Sequence, residues 1–122
     1  MTPVTKRGLG NWGEELAANF LISQDYTILD RNIHTPYGEI DLLACKGGVY
    51  IFVEVKTRSN LSFGYPEEAI TPEKRLHLLQ SAQYILQEKG LGETSWQIDV
   101  IAIHRKSEKN VPEIVWYENA VS

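Results

Sequence analysis

Residues 38–58 read GEIDLLACKGGVYIFVEVKTR: two apolar runs meet at Lys46-Gly47-Gly48, and each carries charge in its middle, Asp41 in the first, Glu54 and Lys56 in the second. Gly47-Gly48 fits a two-residue hairpin turn, which glycine favours because its central residues take positive φ. Such a turn pairs Lys46 with Val49 and Cys45 with Tyr50; farther along it sets Asp41 opposite Glu54 and Glu39 opposite Lys56. Strand alternation then directs Tyr50, Phe52, Glu54, Lys56 and Arg58 to one face and Val49, Ile51, Val53 and Val55 to the other. A four-residue turn would shift the pairing but keep Glu39, Asp41, Glu54 and Lys56 on one face, whereas an odd-length loop would separate them.

Two readings of this hairpin stand side by side. In the first it faces solvent, and Glu39 and Lys56 form an ordinary cross-strand ion pair. In the second, Asp41 and Glu54 confront each other at ~5 Å between Cβ atoms, which is unfavourable unless a proton or cation lies between them. A hard divalent ion suits that opening, because Mg²⁺ takes one or two carboxylates and leaves positions for water and substrate phosphate. The carbonyl of the intervening Val55 could join the ligands, and Lys56 could orient water or stabilise transition-state charge. The second reading implies phosphodiester hydrolysis.

Outward from the hairpin, the chain alternates helix and strand. Residues 10–24 (GNWGEELAANFLISQ) form a helix with Leu16, Ala17, Phe20 and Leu21 on one side. Residues 26–34 (YTILDRNIH) form a strand, TPYG turns into the hairpin, and three antiparallel strands result. Residues 59–70 (SNLSFGYPEEAI) lack a sustained period and read as an exposed loop, in which Gly64, Tyr65 and Pro66 shape a substrate-side turn. Thr71 caps a second helix, with Pro72 at its first position, Leu78, Leu79, Ala82, Ile85 and Leu86 on its inner stripe, and Gly90 or Gly92 as its stop. WQIDVIAIH (96–104) is apolar on both sides and reads as an interior strand, RKSEKNVP is a polar loop, and EIVWYEN (113–119) is the last strand. A strand that follows a crossover helix lies parallel to its neighbour, so the expectation is an α/β domain with a mixed sheet flanked by helices.

A chain of 122 residues suits a single domain spanning 1–122. One cysteine, Cys45, cannot form an internal disulfide, and without a signal peptide the expected compartment is the cytoplasm. The longest apolar run, VYIFV, falls far short of the ~18 residues of a membrane span. The net charge of −4 argues against indiscriminate attraction to polyanions, but Lys6, Arg7, Arg58, Lys74 and Arg75 can still form a basic rim. His34, His77 and His104 fall in three different elements without zinc-ligand spacing.

GEIDLLA followed by FVEVKTR, with GNWGEELAANFL upstream and FGYPEEAI downstream, resembles the YraN-type family of small bacterial proteins from about Gly10 to Asn119. That family is similar to the restriction-endonuclease-like (PD-(D/E)XK) superfamily and, within it, to the archaeal Holliday junction resolvases. Their pattern is an aspartate, a spacer, and Glu-Xaa-Lys on the next strand. The resemblance implies that Asp41, Glu54 and Lys56 are catalytic, with Ile40 where proline is frequent in the superfamily. Resolvase-like members add a glutamate in Gly-Xaa-Xaa-Xaa-Glu, which Gly10 and Glu14 reproduce. Glu14 lies about 90° from the centre of the helix's apolar arc and can border a site, whereas Glu15 lies nearly opposite and should face water.

The expectation is therefore a restriction-endonuclease-like DNA endonuclease that uses Mg²⁺ or Mn²⁺, with Asp41, Glu54 and the Val55 carbonyl as ligands and Glu14 and Lys56 beside them. Arg58 and Lys74 are the candidate contacts to nucleic acid, each with an ordinary surface charge as the plain alternative. Branched or irregular DNA is the substrate the resemblance implies, and a homodimer would let paired sites cut paired strands. The rival is a non-catalytic nucleic-acid-binding or assembly module that keeps the fold and the acidic pocket. Asp99, in an otherwise apolar strand, is expected to make buried hydrogen bonds, and Trp12, Trp96 and Trp116 to fill cores.

Overall fold

The computed structural model describes residues 6–58, 70–105 and 111–121, without the side chains of 6–9. Of the expected exposed loop 59–70, residues 59–69, with Gly64, Tyr65 and Pro66, lie outside the described residues, as do 106–110 and the side chains of Lys6 and Arg7; its last residue, Ile70, is buried rather than exposed. The order is α1 (Lys6–Ser23), β1 (Thr27–Thr35), β2 (Gly38–Lys46), β3 (Val49–Arg58), α2 (Pro72–Glu88), β4 (Ser95–His104) and β5 (Glu113–Val121). The strands lie in chain order in one sheet; β3 and β4 are parallel, and the other neighbours are antiparallel. The mixed α/β architecture is the expected one, with α2 as the crossover that makes the parallel pair possible.

The hairpin turn is built as glycine allows, with φ of 58° at Gly47 and 81° at Gly48. It fixes the register at Lys46↔Val49, Cys45↔Tyr50, Ala44↔Ile51, Leu43↔Phe52 and Leu42↔Val53. Alternation along β3 then divides the core. Ile51, Val53 and Val55 pack with Ala17, Ala18 and Leu21 of α1, while Tyr50 and Phe52 pack with Leu78, Ala82, Ile85 and Leu86 of α2. Fully burying one such side chain contributes about 1.5–3 kcal/mol, so both faces of β3 are strongly specified.

The ends of α2 follow from its sequence. Thr71 Oγ1 accepts the Lys74 N–H at 3.1 Å, Pro72 occupies the first turn, and Gly90 (φ 69°) closes the helix as Leu91 N–H bonds to the Leu86 carbonyl at 2.8 Å. The wholly buried Asp99 carboxylate accepts from Trp116 Nε1 and Gln97 Nε2 at 2.9 Å and from the Asn119 N–H at 2.8 Å. It thereby satisfies donors where the β4–β5 register shifts between Ile98 and Val100. Among the described residues no helix is long and apolar enough to cross a membrane.

Candidate functional site

Past Leu42↔Val53 the ladder between β2 and β3 ends. Ile40 and Leu43 both join the α2-side cluster although they stand an odd number of positions apart, so β2 departs from strict alternation around Asp41. The Asp41 carboxylate enters the gap between the strands, and its Oδ2 accepts the Val55 N–H at 2.8 Å. This refines the expected register: the predicted pairs hold through Leu42↔Val53, but Asp41 bonds to the β3 backbone in place of a ladder pairing with Glu54. The simple Glu39–Lys56 pair is also corrected. Where the strands part, Glu39 stays in the ladder with β1, opposite His34, and Lys56 turns to Glu54.

Val55 contributes in a second way. The N–H and C=O of a strand residue leave on the same side, so its carbonyl faces the same gap as its bonded N–H. At the end of β3 the Arg58 carbonyl faces the other side, toward β4, and accepts the Arg105 N–H at 2.8 Å.

The electrostatics are those of crowded acids. Burial, and then the charge of Glu54, push the Asp41 carboxyl up to about 8; Glu14 and Glu39 add to the rise, and the Val55 N–H opposes it. Asp41 therefore holds a proton at neutral pH where an ordinary aspartate has none. Glu54 is buried, its side chain 7% exposed, and its Oε1 lies 3.4 Å from Lys56 Nζ and 3.3 Å from Lys74 Nζ. Glu14 of α1 is held above the ordinary glutamate range by burial and by the charge of Glu39, while hydrogen bonds with Asn32 and Asp41 pull it back.

The fold thus gathers Glu14, Asp41, Glu54, Val55, Lys56 and Lys74 from α1, β2, β3 and α2. Lys74 belongs to this group because the start of α2 overlies Glu54. Arg58 extends the same strand face but donates its Nη1 to the Thr57 carbonyl at 3.3 Å, so it borders the group rather than joining it. Glu15 turns away and pairs with Arg31 at 2.7 Å on the exposed side.

Two residues of the site have no place in the motif. Asn32, with φ of 50° inside β1, donates from its carboxamide to Glu14 Oε2 at 3.0 Å and to Glu39 Oε1 at 3.3 Å in the orientation that satisfies both. Gly13 lets α1 approach β3: a methyl there would overlap Thr57 Oγ1 and sit 3.2 Å from Thr57 Cβ. Gly10, the glycine of the Gly-Xaa-Xaa-Xaa-Glu pattern, has nothing within 4 Å of where its Cβ would be. A helical glycine facing an apolar strand is a signal of close packing, and in GNWGE only the second glycine carries it.

Among the described residues no group of three or more His, Cys, Asp or Glu side chains is arranged to hold a metal. What Asp41, Glu54 and the Val55 carbonyl offer is a small set of hard oxygen donors, two of them acidic, one with a proton to exchange. That set fits Mg²⁺ or Mn²⁺, which draw their remaining ligands from water and phosphate, and it does not fit zinc.

Residues 13–103 match the model of the uncharacterised protein family UPF0102. A UPF0102 protein of Syntrophotalea carbinolica is 46% identical over 101 residues, covering 83% of this chain and 82% of its own. One from Caldicellulosiruptor saccharolyticus is 42% identical over 117 residues, covering 96% of this chain and 99% of its own. Among solved structures, Pyrococcus furiosus SfsA in complex with Ca²⁺ aligns with 95% of this chain and 64% of its own, at a TM-score of 0.42 and 17% identity, a distant likeness. The family-level resemblance carried by GEIDLLA and FVEVKTR is borne out: the chain belongs to the UPF0102 family.

Proposed function

We propose that the protein is a metal-dependent DNA endonuclease of the restriction-endonuclease-like superfamily, hydrolysing phosphodiester bonds with the group around Asp41 and Glu54. The observation that carries this reading is the pairing of acids across splayed strands. Burial and the neighbouring Glu54 charge hold Asp41 protonated up to about pH 8, an unfavourable arrangement that a bound divalent cation relieves. Charge groups are seldom forced together inside a sheet without a task for them.

In this reading Asp41, Glu54 and the Val55 carbonyl hold Mg²⁺ or Mn²⁺. The bound ion supplies Lewis-acid activation of the phosphodiester and of the attacking water. Lys56, on the Glu-Xaa-Lys strand beside Glu54, orients that water and stabilises charge building on the phosphoryl oxygens. Before the ion binds, Glu14 accepts a hydrogen bond from the protonated Asp41 and holds its carboxyl oriented; the ion would take the place of that proton. Lys74 and Arg58 contact the flanking DNA phosphates; Lys74, 38% exposed, can leave Glu54 for a phosphate oxygen.

DNA as substrate, and branched or irregular DNA in particular, rests on the resemblance to the resolvases, as does a homodimer that pairs two sites. The test is Mn²⁺-dependent cleavage of duplex, flap and four-way DNA by the wild type, Glu54→Ala and Lys56→Ala. Cleavage lost in both variants supports the reading. Cleavage that survives both identifies a contaminating nuclease. Tight DNA binding without cleavage by the wild type replaces the enzyme with a non-catalytic binding module.

A further inference from the structure

We infer that Asn32 is a positioning residue of this site: its carboxamide orients Glu14 and Glu39 beside Asp41, and its left-handed backbone turns β1 so that it can. The inference rests on the functional reading above for the purpose of that orientation, and on geometry alone for the orientation itself.

The geometry has three parts. Asn32 lies between the paired positions Arg31↔Leu42 and Ile33↔Ile40, so its neighbour across the ladder is Asp41. Successive residues of a regular strand face opposite sides. Here Arg31 reaches Glu15 at 2.7 Å and Asn32 reaches Glu14 at 3.0 Å, both on α1. The φ of 50° at Asn32 is what permits this, and after glycine, asparagine adopts that conformation at least cost.

Chemistry explains why the residue is an amide. Glu14, Glu39 and Asp41 repel one another, as the raised positions of Glu14 and Asp41 record. Arginine or lysine at position 32 would neutralise them and compete with a cation for the same oxygens. Two neutral N–H donors hold the carboxylates in place and leave their charge available. Groups bonded directly to a ligand typically govern metal affinity by about ten- to a hundredfold; Asn32 acts one step farther out, through Glu14 on Asp41, so the lower end of that range is expected.

The experiment compares Asn32→Gly, which permits the backbone conformation and removes only the carboxamide, with Asn32→Ala, which removes the carboxamide and also strains the backbone. Mn²⁺ binding is read by electron paramagnetic resonance of the free ion, with melting recorded alongside. The inference expects the dissociation constant to rise about tenfold in Asn32→Gly at near wild-type melting, and at least as much in Asn32→Ala. Wild-type Mn²⁺ affinity in Asn32→Gly overturns it, since backbone conformation alone would then account for the residue.

A metal-free arm separates this inference from the ion site itself. By NMR the carboxamide protons of Asn32, a residue exposed like Asn19, should still exchange more slowly than those of Asn19 because both are hydrogen-bonded, and should shift in Glu14→Gln. Exchange as fast as that of Asn19, with no shift, overturns the inference whatever the ion does. A wild type that takes up no Mn²⁺ while the carboxamide stays protected and coupled to Glu14 removes the ion site and leaves the orientation of Glu14 by Asn32 standing.

Discussion

Asp41→Asn should make the metal-free protein more stable at alkaline pH than the wild type. Asn keeps the shape and an oxygen for the Val55 N–H, and it removes the ionisable proton. In the fold the Asp41 carboxyl sits at about 8 against an ordinary 3.8. Below the ordinary value both folded and unfolded chains hold the proton, and the residue has no effect on pH dependence. As pH rises above it, the unfolded chain releases the proton and the folded chain does not, so stability falls; above about 8 both have released it and the fall stops. Each unit is worth ~1.4 kcal/mol, which bounds the loss between pH 5 and pH 8 at ~4 kcal/mol, and solvent screening brings the expectation to roughly 2 kcal/mol. The assay is urea unfolding in EDTA at pH 5, 6.5, 8 and 9 for both proteins. The difference between variant and wild type should grow by roughly 2 kcal/mol across that range and level off by pH 9. Parallel pH profiles would refute the idea that Asp41 is held against its charge. Added Mg²⁺ at pH 8 should raise the melting temperature of the wild type and leave that of Asp41→Asn nearly unchanged.

Other substitutions probe the frame and the rim. Gly13→Ala forces α1 off Thr57 and should cost about 1–3 kcal/mol in urea unfolding, with partial recovery in the double variant Gly13→Ala/Thr57→Ala. Asp99→Ala leaves the Trp116 and Asn119 N–H donors without their acceptor and should cost about 2–4 kcal/mol, whereas cleavage per folded molecule stays within twofold. Lys74→Ala should weaken DNA binding and reduce the slope of log affinity against log salt by about one, the signature of a phosphate contact. An unchanged slope would leave Lys74 as a partner of Glu54 alone.

How far the site was legible in the sequence depended on how local its determinants are. Gly47-Gly48 fixes the turn, the turn fixes the register, and the register carries Glu54 and Lys56 to the α2 face with Tyr50 and Phe52. The helix positions of Glu14 and Glu15 separate them by angle alone, and Arg31 and Asn32 act on them as that separation requires. What the pattern could not yield depends on tertiary geometry. The splay beyond Leu42 sends Asp41 to the Val55 N–H and dissolves the Glu39–Lys56 pair. Lys74 meets Glu54 only because α2 begins above it, a contact across a crossover that no periodicity encodes. Asn32 was hidden because its left-handed φ inside a strand has no signal in YTILDRNIH beyond the residue being asparagine. The loop at 59–69 lies outside the described residues and adds nothing either way.

The proposed catalysis depends on one ion held jointly by acids from neighbouring strands. Anomalous diffraction from crystals of the wild type grown in Mn²⁺ interrogates this directly. The expected result is a single strong peak within coordination distance of carboxylate oxygens from both Asp41 and Glu54, with Lys74 Nζ withdrawn from Glu54. A saturating Mn²⁺ concentration that yields no peak there, or a peak bound by only one of the two acids, would contradict it.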